Sequence, residues 1–139
     1  MATEVVVAGK ASSHREFARV KVLALNTLSF LAKKGHLEVV FLGNRAMKSL
    51  KKRELPREKG PANVLAFPDP PAFPWPSGSA KPLGVVYLNR DMVKGKARAL
   101  DVLFIHGLLH LLGYDHKRKG DILKMEKLES ELIQKFARS

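Results

Sequence analysis

Three of the chain's five histidines lie in one short apolar stretch, at positions 106, 110 and 116. Because His106 and His110 are four residues apart, an α-helix would place both imidazoles on the same side, separated by one turn of about 5.4 Å. Gly113 follows Leu112, where helices commonly end in a left-handed glycine cap, and a turn there can return His116 to the same side. Three imidazoles that converge on one point, with a fourth position open to water, predict a catalytic zinc site.

The alternative is that these are core or surface histidines with no shared task, which is the usual interpretation of a single histidine on an apolar helix. Here the neighbouring residues are apolar around nearly the whole circumference, so the helix is expected to be buried. Each unpaired buried imidazole would cost about 1–3 kcal/mol, and a shared metal ion would remove that cost. We therefore favour metal binding. The apolar neighbours are Val102, Leu103, Phe104, Ile105, Leu108, Leu109, Leu111 and Leu112.

The residue after His106 separates this stretch from one class of zinc hydrolase. Metalloproteases with a His-Glu-x-x-His motif carry their general base there, whereas this chain has Gly107. A glycine allows another backbone or a substrate to approach the helix closely. The sequence therefore argues against peptide hydrolysis by that machinery.

The composition is that of one globular domain without disulfides. The chain has 139 residues, 45% of them hydrophobic and 27% charged, and no cysteine. Any zinc ion must therefore be held by histidines or carboxylates. The N-terminus lacks the pattern of a signal peptide, and no stretch reaches the roughly 18 apolar residues of a membrane span, so we expect a soluble, cytosolic protein.

The charge is strongly positive. Twenty-five Lys and Arg against thirteen Asp and Glu give a net charge of +12. Such an excess can simply aid solubility, but in a small domain it is more often a surface for polyanions. Charge alone does not separate nucleic acid from an acidic membrane. Because the chain also carries a predicted metal site on an apolar helix, we favour nucleic acid as the partner of this charge. We expect no membrane partner.

Hydrophobic periodicity predicts four strands and four helices. The predicted strands are Glu4 to Ala8, His36 to Gly43, Asn63 to Phe67 and Leu83 to Asn89. The predicted helices are Ser13 to about Lys34, Arg45 to about Arg53, one from Arg90 into the histidine stretch, and one after Gly120 and Asp121. We expect Ser13, Asn44 and Asp91 to cap the first three helices, Gly35 to stop the first, and Gly95 to weaken or kink the third.

The histidine stretch also carries a resemblance to a known family. The eleven residues from His106 to His116, HGLLHLLGYDH, resemble the signature of the YbeY family of rRNA-maturation endoribonucleases. Residues 61–68, PANVLAFP, resemble the family's other characteristic block, and the likeness runs from about Leu42 to the C-terminus. The resemblance implies a single α+β endoribonuclease domain over residues 1–139, with a mixed sheet of about four strands packed with helices and the metal site on a buried central helix and the turn after it. It also implies one zinc ion on the three histidines, with other divalent metals as alternatives, and cleavage of single-stranded or ribosomal RNA.

The resemblance suggests further partners and catalytic residues. Ribosomes or ribosomal proteins are the implied partners beside RNA, and the oligomeric state is left open. Arg57 resembles the arginine that the family places opposite the metal, where a guanidinium can stabilise charge on a phosphate. It stands four residues before Pro61, one fewer than the family pattern, so Arg53 is a substitute, and an ordinary exposed arginine is the remaining alternative.

Asp115 precedes the third predicted ligand. It is predicted either to orient a histidine or the bound water, or to be a turn residue that bonds its own backbone. No residue is an evident general base, and either water or the RNA 2′-hydroxyl can be the attacking group.

Three positions depart from the family pattern and thin the polar surroundings of the site. Val85 stands where an acidic residue is usual, and Ala62 and Ala66 stand where hydroxyl side chains are common. A proline-rich insertion at residues 69–82 carries Phe73 and the only tryptophan, Trp75. These two side chains are expected to stack on unpaired bases, to cover a sheet edge or to stay mobile.

Two rival functions remain at this stage. One is a metal-dependent hydrolase of another substrate, such as a peptide or a small ester. The other is a non-catalytic, ribosome- or RNA-associated protein whose zinc ion is structural.

Overall fold

The structure, a computed structural model, describes residues 3–9, 14–58, 63–68, 81–114 and 118–137. It is a single α+β domain with a four-stranded mixed sheet, which confirms the predicted fold class. The elements are β1 (Glu4–Gly9), α1 (His14–Phe30), β2 (His36–Leu42), α2 (Asn44–Glu54), β3 (Val64–Pro68), β4 (Pro82–Asn89), α3 (Arg90–Val93), α4 (Ala97–Leu111) and α5 (Lys119–Phe136).

The sheet has the strand order β1-β2-β4-β3. β1, β2 and β4 run parallel, and β3 pairs antiparallel with β4 at one edge, with Leu65 opposite Tyr87. Because the side chains of a strand alternate between its two faces, each strand contributes to both sides of the sheet. In β2, Leu37, Val39 and Phe41 are all buried, as their alternation predicts.

The two faces of the sheet pack against different helices. Val86 and Leu88 of β4 belong to the main core, together with Phe104 and Leu108 of α4 and residues of α1 and α5. The intervening Tyr87 packs instead with a smaller cluster that includes Met47 of α2. α2 therefore lies across the sheet from α4.

The end of α1 differs from the prediction. The helix stops at Phe30, and Ala32 takes a left-handed conformation with φ 56°. The N–H of Lys33 donates to the carbonyl of Leu28 and that of Ala32 to Ser29, which is the Schellman pattern. Gly35 is not the helix stop.

Gly35 instead marks the entry to β2. It has a φ of 148°, and a Cβ there would lie 2.4 Å from the carbonyl oxygen of Lys81, just before β4. The predicted cap Ser13 lies outside the described residues.

The predicted third helix is two helices. α3 ends at Val93, and α4 begins at Ala97 after Gly95, whose φ of 71° interrupts the helix. The predicted weakness at Gly95 is confirmed, but it is a break rather than a kink.

Two of the predicted caps were wrong. The side chain of Asn89, not that of Asp91, caps α3 by accepting from the Asp91 N–H. Asp91 serves the neighbouring helix instead, because its carboxylate accepts from the backbone N–H of Asn44 at 2.8 Å. Asn44 is the first residue of α2, and Gly43 occupies the N-cap position.

A buried ion pair fixes α4 among the helices. Asp101, in the second turn of α4, is fully buried, and its Oδ2 lies 3.1 Å from a guanidinium nitrogen of Arg19 in α1. The same nitrogen donates to the carbonyl of Phe136 at the end of α5. Arg19 thereby joins the three helices that cover the main core.

None of the helices in the described part of the chain combines the length and apolar character needed to cross a membrane. The proline-rich insertion, with Phe73 and Trp75, falls almost entirely outside the described residues.

Candidate metal centre

The last turns of α4 carry His106 and His110 on one side, as their spacing predicts. The Nε2 atoms of the two imidazoles are 3.1 Å apart, and the ring planes are inclined by 72°. Two nitrogens that each lie about 2.0–2.1 Å from one tetrahedral ion are about 3.3–3.4 Å apart. The pair therefore presents two nitrogen donors at a separation that fits a zinc ion with little side-chain movement.

The glycine cap predicted after these histidines is confirmed. Gly113 has a φ of 100°, and its N–H donates to the carbonyl of His110 at 3.1 Å. The N–H of Tyr114 donates to the carbonyl of Leu109 at 3.0 Å, which completes a Schellman motif. This cap fixes where the chain leaves the helix, directly after the second histidine.

The third predicted ligand, His116, and its neighbour Asp115 lie outside the described residues. Among the residues that are described, no three His, Cys, Asp or Glu side chains form a group able to hold a metal ion. The imidazole pair thus supplies two donors, and the third donor, His116, stays a prediction.

The expectation that the histidines are buried was wrong. The side chain of His106 is 34% exposed, and His110 is exposed. The buried side of α4 is formed by other residues, among them Phe104, Leu108 and Leu111. A burial penalty on unpaired imidazoles therefore does not favour a metal ion here, and the separation of the two Nε2 atoms is the observation that fits one.

Glu129 of α5 is a site residue that the sequence analysis missed. Its carboxylate oxygens lie 3.2 and 3.4 Å from Nδ1 of His106, on the opposite side of the ring from the Nε2 that faces His110. One sequence signal pointed to it. Glu129 stands between Met125 and Leu132, both fully buried, at helical spacing, so a carboxylate occupies the inward side of an amphipathic helix.

Gly107 has its explanation in the sheet. A Cβ at this position would lie 2.5 Å from Cγ2 of Val64 in β3 and 3.2 Å from Cγ1 of Val86 in β4. The close approach predicted for this glycine is thus made by side chains of two strands, rather than by a backbone or a substrate. Because the position faces the sheet, a glutamate there would point away from the imidazole pair.

The structure separates the two candidate arginines. Arg53, in the last turn of α2, is paired with Glu54 at 3.1 Å. Arg57 lies exposed in the turn that follows, and within the described residues it has no ion pair or hydrogen bond. Residues 59–62, which lead from this turn toward β3, are outside the described part.

Two of the three departures from the family pattern lie in the paired strands β3 and β4. Val85 and Ala66 are both partly buried, and Ala66 packs against the main core. Ala62 lies outside the described residues.

Comparison with known proteins gives a consistent family. The family model described as Endoribonuclease YbeY matches residues 8–137. The Endoribonuclease YbeY of Bartonella bacilliformis is 32% identical over 126 residues, which cover 84% of this chain and 77% of that protein. The protein of the same name from a Sulfurovum species is 34% identical over 125 residues, which cover 84% of this chain and 83% of that one.

A solved structure supports the fold. The solution structure of TM1509 from Thermotoga maritima superposes with a TM-score of 0.55, covering 94% of this chain and 90% of that one, at 21% identity. At that identity the likeness concerns the fold alone. The extent of the family match and the identity of the two relatives lead to one conclusion: the chain belongs to the YbeY family.

Proposed function

We propose that this chain is a zinc-dependent endoribonuclease that cleaves single-stranded RNA, with a role in rRNA maturation or ribosome quality control. Family membership supports the reaction class, since the relatives are named endoribonucleases. The observation that carries the metal dependence is the His106–His110 pair, whose Nε2 atoms are 3.1 Å apart on an accessible side of α4.

His106 and His110 would hold the ion together with His116, the third ligand that the sequence predicts. When bound, such an ion supplies Lewis acidity for hydrolysis of a phosphodiester. Arg57 is the better of the two arginine candidates, because it has no anionic partner in the described part of the chain whereas Arg53 is paired with Glu54. A guanidinium fork of this kind binds a phosphate through two parallel hydrogen bonds.

Asp115 has the proposed role of orienting His116 or a water molecule at the site. This role rests on its position next to the third predicted ligand, and its alternative is a turn residue that bonds its own backbone.

The exposure of the pair favours a catalytic ion over a structural one. Structural zinc sites are closed by four protein ligands, whereas catalytic sites keep a position for water or substrate. His110 is exposed, and the net charge of +12 favours a polyanionic substrate. RNA, in free form or within ribosomal particles, is the substrate that combines these features with the family's reaction class.

The test is the zinc content of the purified full chain, combined with cleavage of a single-stranded RNA before and after chelation. We expect bound zinc and loss of cleavage on chelation. H110A should lower the cleavage rate by more than about 100-fold, because removing a ligand is more severe than the 10–100-fold loss typical of its supporting residues. RNA affinity should remain close to that of the wild type.

The control is H14A, which removes an exposed histidine at the start of α1, far along the chain from the pair. It should cleave like the wild type. Full cleavage by chelated protein would overturn the metal dependence. Unfolding of the chelated wild type and of H110A alike would instead indicate a structural ion.

A further inference from the structure

Glu129 differs from the two other glutamates of α5. Glu126 and Glu131 on the same helix are exposed, as a solvated helix surface predicts. The Glu129 side chain is only 19% exposed and lies against His106 across the α4–α5 interface. A carboxylate so placed loses much of its hydration, and its position requires a compensating partner. Among the described residues, this partner of Glu129 is the Nδ1 atom of His106.

The contact selects one form of the imidazole. A carboxylate can only accept a hydrogen bond, so Nδ1 of His106 must carry the proton. The lone pair of a neutral ring then lies on Nε2, the atom that faces Nε2 of His110 at 3.1 Å. Glu129 therefore presents His106 in the tautomer and orientation that a metal ion on the two Nε2 atoms requires.

We propose that Glu129 is a positioning residue for the metal centre, acting through His106. Carboxylates that accept from the second nitrogen of a ligating imidazole fix its orientation and raise its basicity. This inference rests on the proposed function for the presence of the ion, and it adds a residue from α5 to a site whose proposed ligands are His106, His110 and His116. It also gives the C-terminal helix a part in the site beyond packing.

The experiment uses the metal-free full chain with zinc as the probe, and it compares three variants. E129A removes the contact, E129Q keeps the shape and one acceptor but removes the charge, and E131Q removes the same charge from an exposed position two residues away. Zinc affinity is measured by competition with a chelator of known affinity. The proton position on the His106 ring is measured by nitrogen NMR on the same metal-free samples, with thermal unfolding to compare the folded states.

We expect E129A to weaken zinc binding by about 10–100-fold, the range found for such supporting residues, and E129Q to weaken it by less. E131Q should bind zinc within about twofold of the wild type, because the charge of an exposed side chain is largely screened by water and salt. The wild type and E131Q should carry the His106 proton on Nδ1, and E129A should lose that preference while it keeps its fold.

Two results would overturn the inference: a His106 proton on Nε2 in the wild type, or folded E129A that binds zinc as tightly as the wild type. Both leave the proposed function intact. A wild type that binds zinc but does not cleave RNA would overturn the function and leave the role of Glu129 standing. Because the NMR measurement needs neither zinc nor RNA, the two failures are distinguishable.

Discussion

At the scale of single residues, Gly107 determines how closely the histidine-bearing helix approaches the sheet. A glycine within a helix is normally unfavourable by about 0.5–1 kcal/mol relative to alanine. Here the Cβ of any other residue would meet Val64 at 2.5 Å. The glycine therefore lowers the helix propensity of α4 but lets the helix pack close to β3 and β4. That packing distance determines the positions of His106 and His110.

The substitution G107A tests this balance. Overpacking a core costs about 1–3 kcal/mol, and the gain in helix propensity is smaller. Since Val64 is β-branched and stiff, we expect G107A to lower the free energy of unfolding by about 1 kcal/mol, measured by urea denaturation. The additional substitution V64A should recover part of the loss that G107A causes, as a double-mutant cycle would show.

Gly120 provides the matched control, because it also lies in a helix but a Cβ there meets nothing within 4 Å. G120A should raise the free energy of unfolding by up to about 1 kcal/mol. If G107A and G120A stabilise the chain equally, the packing explanation is wrong.

The same scale shows what could be predicted about the site. The pairing of His106 with His110 is a local property of helical spacing, so the sequence predicts it. The contact of His106 with Glu129 joins residues 23 positions apart on two helices, and that of Arg19 with Asp101 joins residues 82 apart. Such pairs depend on how the helices pack, which no local pattern contains, although the inward position of Glu129 was a visible anomaly.

At the scale of elements, the prediction of a helix end succeeded where the local backbone conformation favours one residue type. Gly113 ends α4 as expected, because glycine adopts the left-handed region without penalty. α1 ends instead at an alanine in that region, three residues before the glycine that appeared to be its stop. Gly35 is required by the carbonyl of Lys81, a tertiary contact, so its local signal was misleading.

The unusual end of α1 leads to a prediction for A32G. An L-residue in the left-handed region is disfavoured by about 1–2 kcal/mol. Glycine gives back about 0.4–1 kcal/mol through the greater entropy of its unfolded chain. We therefore expect A32G to raise the free energy of unfolding by about 0.5–1 kcal/mol, measured by urea denaturation.

The control is A18G, the same change at an exposed position inside α1, which should instead lower that free energy by about 1 kcal/mol. A loss of stability in both variants would show that the left-handed conformation of Ala32 does not lower the free energy of unfolding by more than the entropy of the added glycine.

At the scale of the whole molecule, the sheet separates the positive charges of α2 from those at the start of α5. α2 carries a cationic cluster of Lys48, Lys51, Lys52 and Arg53. Met47 and Leu50 of this helix pack in one cluster with Tyr87, which puts α2 across the sheet from α4. Arg118 and Lys119 are exposed at the start of α5, two and three residues after His116 in the chain. The topology of the sheet, which local patterns do not reveal, therefore decides which charges accompany the histidines.

This division predicts which lysines and arginines bind the proposed RNA substrate. Each phosphate contact with single-stranded nucleic acid contributes about 0.7 to the slope of log affinity against log salt. α5 lies on the same side of the sheet as the imidazole pair, because α4 and α5 both pack into the main core, whereas the sheet separates the pair from α2. We expect R118A/K119A to weaken binding of a single-stranded RNA and to reduce that slope by up to about 1.4.

K48A/K52A removes the same number of charges from exposed positions on α2, so it should leave the slope nearly unchanged. The reverse result would mean that the RNA binds on the α2 side of the sheet, and cleavage at the histidines would then require the strand to pass around a sheet edge.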